Sequence, residues 1–383
     1  MKETKFKDTE LGKIPEEWEV CNLGSIGVPL MCKRIMKWQT NKTAGVPFYK
    51  IGTFGKQADA FIAPDIWRYM ITHFNYPKKG DILISAAGTI GRTVVFDGQP
   101  SYFQDSNIVW IDNDEEKVLN PYLEYAYTKI AWSTDASTIS RLYNSNLKSA
   151  LILFPHDKAE QQRIASALSD ADALVAELDV LIEKKRAIMA GTMQELLTGK
   201  RRLQGFSEPW VERTIEDFAK ITTGASNTQD QAPFGIFPFY IRSASVMKSN
   251  RFLYDCEGVI TIGDGQIGKV FHYVNGKFDL HQRCYLIYDF YDVDAKFFYY
   301  IFSAFFYERA IALSAKATVD SVRRDMIAKM KVDLPSLAEQ RAIASILSDM
   351  DAEIAELEAK RDKYKEVRQG MMQQLLTGKI RLI

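Results

Sequence analysis

A 44-residue segment of this chain occurs twice. Residues 160–203 read EQQRIASALSDADALVAELDVLIEKKRAIMAGTMQELLTGKRRL and residues 339–382 read EQRAIASILSDMDAEIAELEAKRDKYKEVRQGMMQQLLTGKIRL, with 24 identical positions at a constant offset of 179. A repeat of this length constrains the architecture before any single residue does, because each copy must meet an equivalent environment. The chain is a duplicated unit, and its function should be a doubled function.

Each copy carries helix punctuation. Pro155-His156-Asp157 with Glu160 three residues on, and Pro335-Ser336 with Glu339, read as capping boxes, the carboxylate reaching back to the cap. Both copies end at Thr-Gly-Lys, with Gly199 and Gly378 suited to a left-handed position just past the helix. The enclosed spans, 158–198 and 337–377, predict helices roughly 60 Å long at the α-helical rise. Spacing alternates four and three through Ile164, Leu168, Ala171, Val175, Leu178, Ile182, Lys185, Met189, Thr192 and Leu196. It does so again through Ile343, Leu347, Met350, Ile354, Leu357, Arg361, Tyr364, Arg368, Met371 and Leu375. These are heptad seams, weaker toward their C-terminal halves. Two helices in separate cores would satisfy them; matched length and register favour pairing with each other, as an antiparallel pair.

Bulk properties narrow the class. With 383 residues the chain has room for two cores. The N-terminus, MKETKFKDTELGK, is charged throughout and reads as no secretory signal. The most apolar stretch, Phe297 to Phe306, is too short to span a bilayer and predicts a buried helix. Cys21, Cys32, Cys256 and Cys284 show no metal or disulfide spacing, which fits a reducing cytoplasm. Basic and acidic side chains balance at 49 each, which argues against a protein that grips phosphates alone over a wide surface.

The segments between the repeats are also related, more loosely. Trp18 faces Trp210, Pro47-Phe48-Tyr49 faces Pro238-Phe239-Tyr240, and GDILISAAGTIGRTVVF faces EGVITIGDGQIGKVFHY, aligning Gly88 with Gly265 and Gly91 with Gly268. The tail from Thr138 to Pro155 tracks Thr318 to Pro335. Short β-like runs (ILIS, TVVF, IVWI; VITI, VFHY, CYLI) and aromatic helical stretches near 121–131 and 294–313 predict two α+β domains with twisted sheets. The helices are near copies, the scaffolds are recognisable and the loops are unrelated. Equal helices should meet equal partners, and divergent loops on a common scaffold should read different targets.

This order of parts resembles the specificity subunit of type I restriction-modification enzymes. The resemblance rests on the two target-recognition-like segments, the E-Q-x-x-I-A-x-x-L-S-D helix starts and the L-L-T-G-K endings. Ala176-Glu177-Leu178 and Ala355-Glu356-Leu357 are also similar to the short repeat unit in the central helices of some members. The resemblance implies target-recognition domains at 1–157 and 201–335, and central helical repeats at 158–200 and 336–383. It implies a subunit that is not itself catalytic: each domain reads half of a split, asymmetric double-stranded DNA site, and the helices act as a ruler. Two modification subunits, carrying S-adenosylmethionine and methylating adenine, dock on the helices, and restriction subunits join them in the cytoplasm. Neutral charge is then no contradiction, since the partners can supply much of the phosphate grip.

Loops held by a sheet meet base edges best through Arg, Lys, Asn, Gln and similar groups. The candidates for DNA contact are Thr89, Arg92, Gln104, Ser106, Arg141 and Asn144 in the first domain, and Gln266, Lys269, His281, Arg283 and Arg323 in the second. Asp105, Asn107, Asn146, Gln282, Ser321 and Arg324 lie beside them. Glu160, Asp170, Glu339 and Asp349 on the helices are candidates for partner contact. Trp18 and Trp210 read as core or helix-end packing. No cofactor or metal site of the chain's own is expected: Asn120-Pro121-Tyr122 lacks the second proline of an adenine-methylation motif, and Asn120 reads as a helix cap. Gly263-Asp264-Gly265 with Gly268 lacks the βαβ setting of a dinucleotide fingerprint, and its twin marks a shared turn. Asp170/Asp172 and Asp349/Asp351, two apart on a helix, point to different faces and make no catalytic dyad. The rival reading is a coiled-coil adaptor whose end domains bind proteins; a stand-alone methyltransferase is a weaker third. The termini should lie close together, since Leu382-Ile383 and Met1–Trp18 would replay the Lys200–Trp210 join.

Overall fold

The computed structural model describes residues 5–132, 141–314 and 321–383; Thr138 and Thr318, expected to open the shared tail, lie outside the described residues. Among those described, the helices in chain order are α1 (Pro64–His73), α2 (Asn120–Ala126), α3 (Asn144–Ser149), α4 (Lys158–Leu196), α5 (Ile215–Phe218), α6 (Ala295–Ser314), α7 (Arg324–Ala328) and α8 (Leu337–Leu375). The chain folds as two compact units, Met1–Glu177 with Arg361–Ile383, and Leu178–Lys360. Each unit is therefore a globular region together with one part of α4 and one part of α8.

In the first unit a four-stranded antiparallel sheet runs in the order Gly27–Leu30, Ile108–Asn113, Ile82–Ser85, Thr93–Val95. Ile82–Ser85 is buried along its whole length, as its Ile-Leu-Ile run requires of a strand covered on both faces. A smaller sheet pairs Val46–Tyr49 in parallel with Tyr102–Phe103. A ribbon joins Trp18–Asn22 to Leu151–Pro155 and delivers the chain into α4. The second unit repeats these devices: a six-stranded sheet in the order Lys220–Thr223, Cys284–Tyr288, Tyr254–Ile262, Phe271–Leu280, Phe237–Tyr240, Met247–Ser249, and a ribbon of Val211–Thr214 with Lys331–Leu334. Phe237–Tyr240 again meets its neighbour in parallel, Phe239 against Asp279, as Phe48 meets Tyr102 in the first unit. The apolar stretch from Phe297 lies inside α6, where Phe298, Phe302 and Phe306 stack at one-turn spacing with centroids 5.3 and 4.5 Å apart.

The helix seam forms within each unit separately. In the first, Ile164 and Leu168 near the start of α4 share a core with Leu375 and Leu376 at the end of α8, and with Trp18 and Tyr122. In the second, Leu196 and Leu197 at the end of α4 share a core with Ile343, Ala344 and Leu347 at the start of α8. Start lies against end in both, so the helices run antiparallel. Every seam position named above is buried or half-buried. Ion pairs cross between the helices along the seam: Arg368 with Asp172 in the first unit, Lys185 with Glu353 (2.6 Å) and Arg186 with Glu358 in the second.

The helix ends match the sequence at one terminus and depart from it at the other. Gly199 and Gly378 are left-handed, at φ of +65° and +69°. At the N-termini the capping boxes do not form. Asp157 caps α4 by accepting from the Ala159 N–H at 2.9 Å, while Glu160 turns inward and is fully buried. Its carboxylate takes a two-pronged bond from Arg381, at 2.6 and 2.7 Å, and the Arg381 guanidinium sits 5.9 Å from the Trp18 ring. Glu339, Arg202 and Trp210 repeat this clasp in the second unit, at 2.7 and 2.7 Å with the ring 5.7 Å away. A guanidinium with planar, bidentate geometry outcompetes a backbone N–H for a buried carboxylate. The adjacent Gln161 and Gln340 bind the preceding domain in the same duplicated way, each donating to the proline carbonyl before its helix, Pro155 or Pro335. Asn120 is also shifted by one place: Leu119 holds the cap position and the Asn120 amide oxygen instead accepts from Asn113, at 2.9 Å.

Candidate nucleic-acid interface

In the first unit the Gly88–Arg92 turn is tied to the tail before α3. Ala87 bridges Arg141, and the Leu142 N–H donates to the Ala86 carbonyl at 2.9 Å. Ser85 supports the turn from beneath, donating to the Thr89 carbonyl at 2.5 Å and accepting from the Arg92 N–H at 2.9 Å. Thr89 is left exposed at the tip. Arg92 is half-buried: its guanidinium donates to the Ile51 carbonyl at 3.2 Å and lies over Phe54, so it braces the loops more than it projects from them. Gln104 braces as well, its carbonyl accepting from the Ile51 N–H at 2.9 Å. Arg141 donates to the carbonyl of Ser106, itself in a left-handed conformation at φ of +55°. Thr89, Arg92, Gln104, Ser106 and Arg141 are thus one linked loop cluster. Asn144 is exposed at the first position of α3, three residues beyond it.

Beside this cluster opens a cavity of about 660 Å³ lined by Arg34, Lys37, Lys42, Lys50, Gln104 and Ser106 among others. Arg34 pairs with Asp105 at 2.8 Å and Lys50 with Asp59 at 2.7 Å. Trp38, on the same short turn as Lys37, is 80 % exposed. Arg34, Lys37, Trp38, Lys42 and Lys50 were not among the sequence candidates. Their signal was present, in a basic run interleaved with an aromatic, CKRIMKWQTNK, but it has no counterpart in the second half of the chain.

The second unit repeats the tie between turn and tail. Asp264 bridges Ser321, and the Val322 N–H donates to the Gly263 carbonyl at 2.8 Å. Gln266 is exposed at the tip, and Lys269 stands over the Tyr307 ring at 5.3 Å. Arg283 donates to Asp264 at 2.6 Å, and Arg242, absent from the sequence candidates, donates to the same carboxylate at 3.2 Å. Burial alone would raise the Asp264 pKa, but the hydrogen bonds and charges of Arg283 and Arg242 outweigh it and hold the carboxyl below its usual range. Arg323 is exposed, at the cap of α7.

His281 is a correction. It is only 4 % exposed, its burial depresses the imidazole pKa, and its Nδ1 accepts from the Arg283 backbone N–H at 3.0 Å. A buried ring whose acceptor is already used positions Arg283 and cannot offer an edge to a base. The nearby Asp279 is fully buried with its oxygens taking bonds from Ser226 (2.5 Å) and Ser249 (2.9 Å), a satisfied structural carboxylate.

On the helices Glu160 and Glu339, expected as partner contacts, are closed inside their arginine clasps. A fully buried carboxylate that is already paired has no face to offer a partner. Asp170 and Asp349 are exposed at matching positions. Asp172 and Asp351, two residues on, face inward and accept from the Tyr125 and Tyr300 hydroxyls at 2.8 and 2.6 Å, which confirms that each aspartate pair divides between two faces. No group of three or more metal-binding side chains occurs among the described residues, and no helix there is long and apolar enough to cross a membrane.

The family described as the type I restriction modification DNA specificity domain matches residues 15–184 and again residues 207–366. The putative type I restriction enzyme specificity subunit S.HindORF215P of Haemophilus influenzae is 52 % identical over 174 residues, a match that covers 45 % of each chain. The putative type I restriction enzyme MjaX specificity subunit of Methanocaldococcus jannaschii is 25 % identical over 429 residues, covering 100 % of this chain and 98 % of that one. The fold is shared with the crystal structure of a type I restriction-modification system S subunit from M. genitalium, at a TM-score of 0.71 and 16 % identity, over 97 % of this chain and 98 % of that one.

Proposed function

Because the chain belongs to the type I restriction-modification DNA specificity family, matched in both of its halves, we propose that it reads a split DNA site for a type I restriction-modification complex. Residues 1–157 and 201–335 act as the target-recognition domains, and the repeats at 158–200 and 336–383 as the docking surface for two modification subunits. The observation that carries the reading is selective duplication. The Arg–Glu clasp, the Tyr–Asp bond and the turn-to-tail bridge recur at equivalent positions, while the side chains on the bridged loops differ. Ala87 and Ser106 in one domain stand where Asp264 and Arg283 stand in the other. Equal helices suit two copies of one partner, with Asp170 and Asp349 as matched contacts, and unequal loops suit an asymmetric site.

Catalysis resides in the partners on this reading, with S-adenosylmethionine on the modification subunits and cleavage on restriction subunits. The complex works in the cytoplasm. Phosphate grip is shared, which reconciles a chain of zero formal net charge with duplex binding. The test is long-read, methylation-sensitive sequencing of DNA from cells expressing the chain with its modification subunit. Methyladenine confined to one split motif is the expected result. Soluble, assembled subunits with no motif-specific methylation would overturn the reading and bring the protein-binding adaptor forward.

A further inference from the structure

The second unit contains two exposed arginines that share one sheltered carboxylate. The side chains of Arg283 and Arg242 are 60 % and 45 % exposed, whereas that of Asp264 beneath them is 20 % exposed. Each arginine reaches Asp264 through one terminal nitrogen, Nη1, at 2.6 Å for Arg283 and at 3.2 and 3.3 Å for Arg242. A guanidinium is a planar fork with five N–H donors, so a bond through one nitrogen fixes its plane and leaves a second edge for another acceptor. The backbone of the platform is fixed too. Asp264 sits in the bridge to Ser321, and the Gly263 N–H donates to the Arg283 carbonyl at 2.8 Å. The buried His281 ring accepts from the Arg283 backbone N–H, and the His281 backbone N–H donates to the carbonyl of Tyr240, two residues before Arg242, at 3.0 Å.

One carboxylate needs one arginine to neutralise it, and here two are supplied, leaving a single net positive charge on oriented, exposed donors. Such a platform fits a flat ligand edge with paired acceptors. In a DNA major groove that edge is guanine, through O6 and N7. Phosphate also accepts bidentate arginine, but part of the charge a phosphate would seek is already spent on Asp264, and fixed planes matter more for a base edge than for a tetrahedral anion. The first domain has Ala87 and Ser106 at the aligned positions and cannot build the same device. We infer that Arg283 and Arg242, held by Asp264 as a positioning residue, read guanine in the half-site assigned to the second domain. This inference rests on the DNA-reading function proposed above.

The experiment uses the full complex with the modification subunit, comparing wild type with Arg283→Ala, Arg283→Lys, Arg242→Ala and Asp264→Asn. Methylated motifs are read by long-read sequencing, and duplex affinity is measured against sites changed one base pair at a time. Wild type is expected to methylate a split motif with a G·C pair in one half. In Arg283→Ala that pair is expected to become degenerate, with discrimination falling roughly 5- to 150-fold while the other half-site is unchanged. Lysine should not restore it, because it lacks the fork, and Asp264→Asn should relax the same base pair. Arg242→Ala should relax a pair in the same half-site. An unchanged motif with affinity lowered equally for all sequences would overturn the inference and make the pair a phosphate clamp. Weaker methylation with unchanged preference in every variant would reduce Asp264 to a loop support and overturn it as well. A wild-type complex that methylates no split motif would instead sink the DNA-reading function and this inference with it.

Discussion

Breaking the Glu160–Arg381 clasp should be unequal from its two sides. Glu160 is fully buried, the Arg381 side chain is 10 % exposed, and Arg381 has a second partner, Glu17, at 2.9 Å on a side chain that is 67 % exposed. Arg381→Met leaves a carboxylate with neither water nor countercharge and should cost about 3–5 kcal/mol. Glu160→Met leaves an arginine that keeps Glu17 and can turn toward solvent. Its cost should be nearer ~2 kcal/mol, that of losing charge-assisted hydrogen bonds. The double variant should cost far less than the two singles together, since an apolar pair of similar volume needs no compensation. Urea titrations of the purified chain at pH 7.5, followed by tryptophan fluorescence, measure all three costs. Equal single-variant costs, or a double variant equal to their sum, would refute the reasoning.

Gly378→Ala should destabilise more than Gly199→Ala. Both must hold a left-handed residue, at about 1 kcal/mol or more, but a Cβ at Gly378 would press into the Pro15 ring, whereas at Gly199 the nearest atom belongs to Trp210 at 3.4 Å; thermal melts of the two variants decide it. His281→Gln should reduce acid sensitivity. Burial depresses the His281 pKa, so its contribution to stability is present above the ordinary histidine value and lost as pH falls through the folded one; the fall in urea midpoint between pH 7.5 and 5.5 should be smaller in the variant. Asp170→Arg with Asp349→Arg should weaken capture of the modification subunit by tenfold or more at unchanged melting temperature, since both positions are exposed; unchanged capture in a pull-down titration removes them from the docking face.

What the sequence disclosed, and what it withheld, follows the range of the interactions. The helix pair was legible because heptad spacing and terminal glycines are local signals repeated over many residues. The Gly88 and Gly265 turns were legible because left-handed backbone strongly favours one residue type, and both are left-handed, at φ of +67° and +83°. Glu160 was misplaced because the same S/T/D-x-x-E spacing serves a cap or an inward-facing acid, and the choice depends on Arg381, 221 residues away. His281 was misplaced for a similar reason: a polar residue in a divergent loop looks available until the parallel bridge with Ser226 buries it. Arg242 and Arg34 escaped notice because nothing near them in sequence names their aspartates.

The duplication turns these placements into an argument about what each half must keep. If the clasp served one unit only, an altered second copy would be as acceptable as a faithful one. Instead Glu160, Arg381 and Trp18 have Glu339, Arg202 and Trp210 as counterparts, in the same geometry to within tenths of an ångström. Both Trp indole N–H groups are also buried without a partner among the described residues, a repeated cost. Two copies that share even an unfavourable detail are held to one helix-end geometry. The loops obey no such rule: the first domain sets four basic side chains around an open cavity, and the second draws two arginines onto one carboxylate. Constraint at the helix ends and freedom at the loop tips are the pattern expected when one partner is met twice and two different surfaces are read once each.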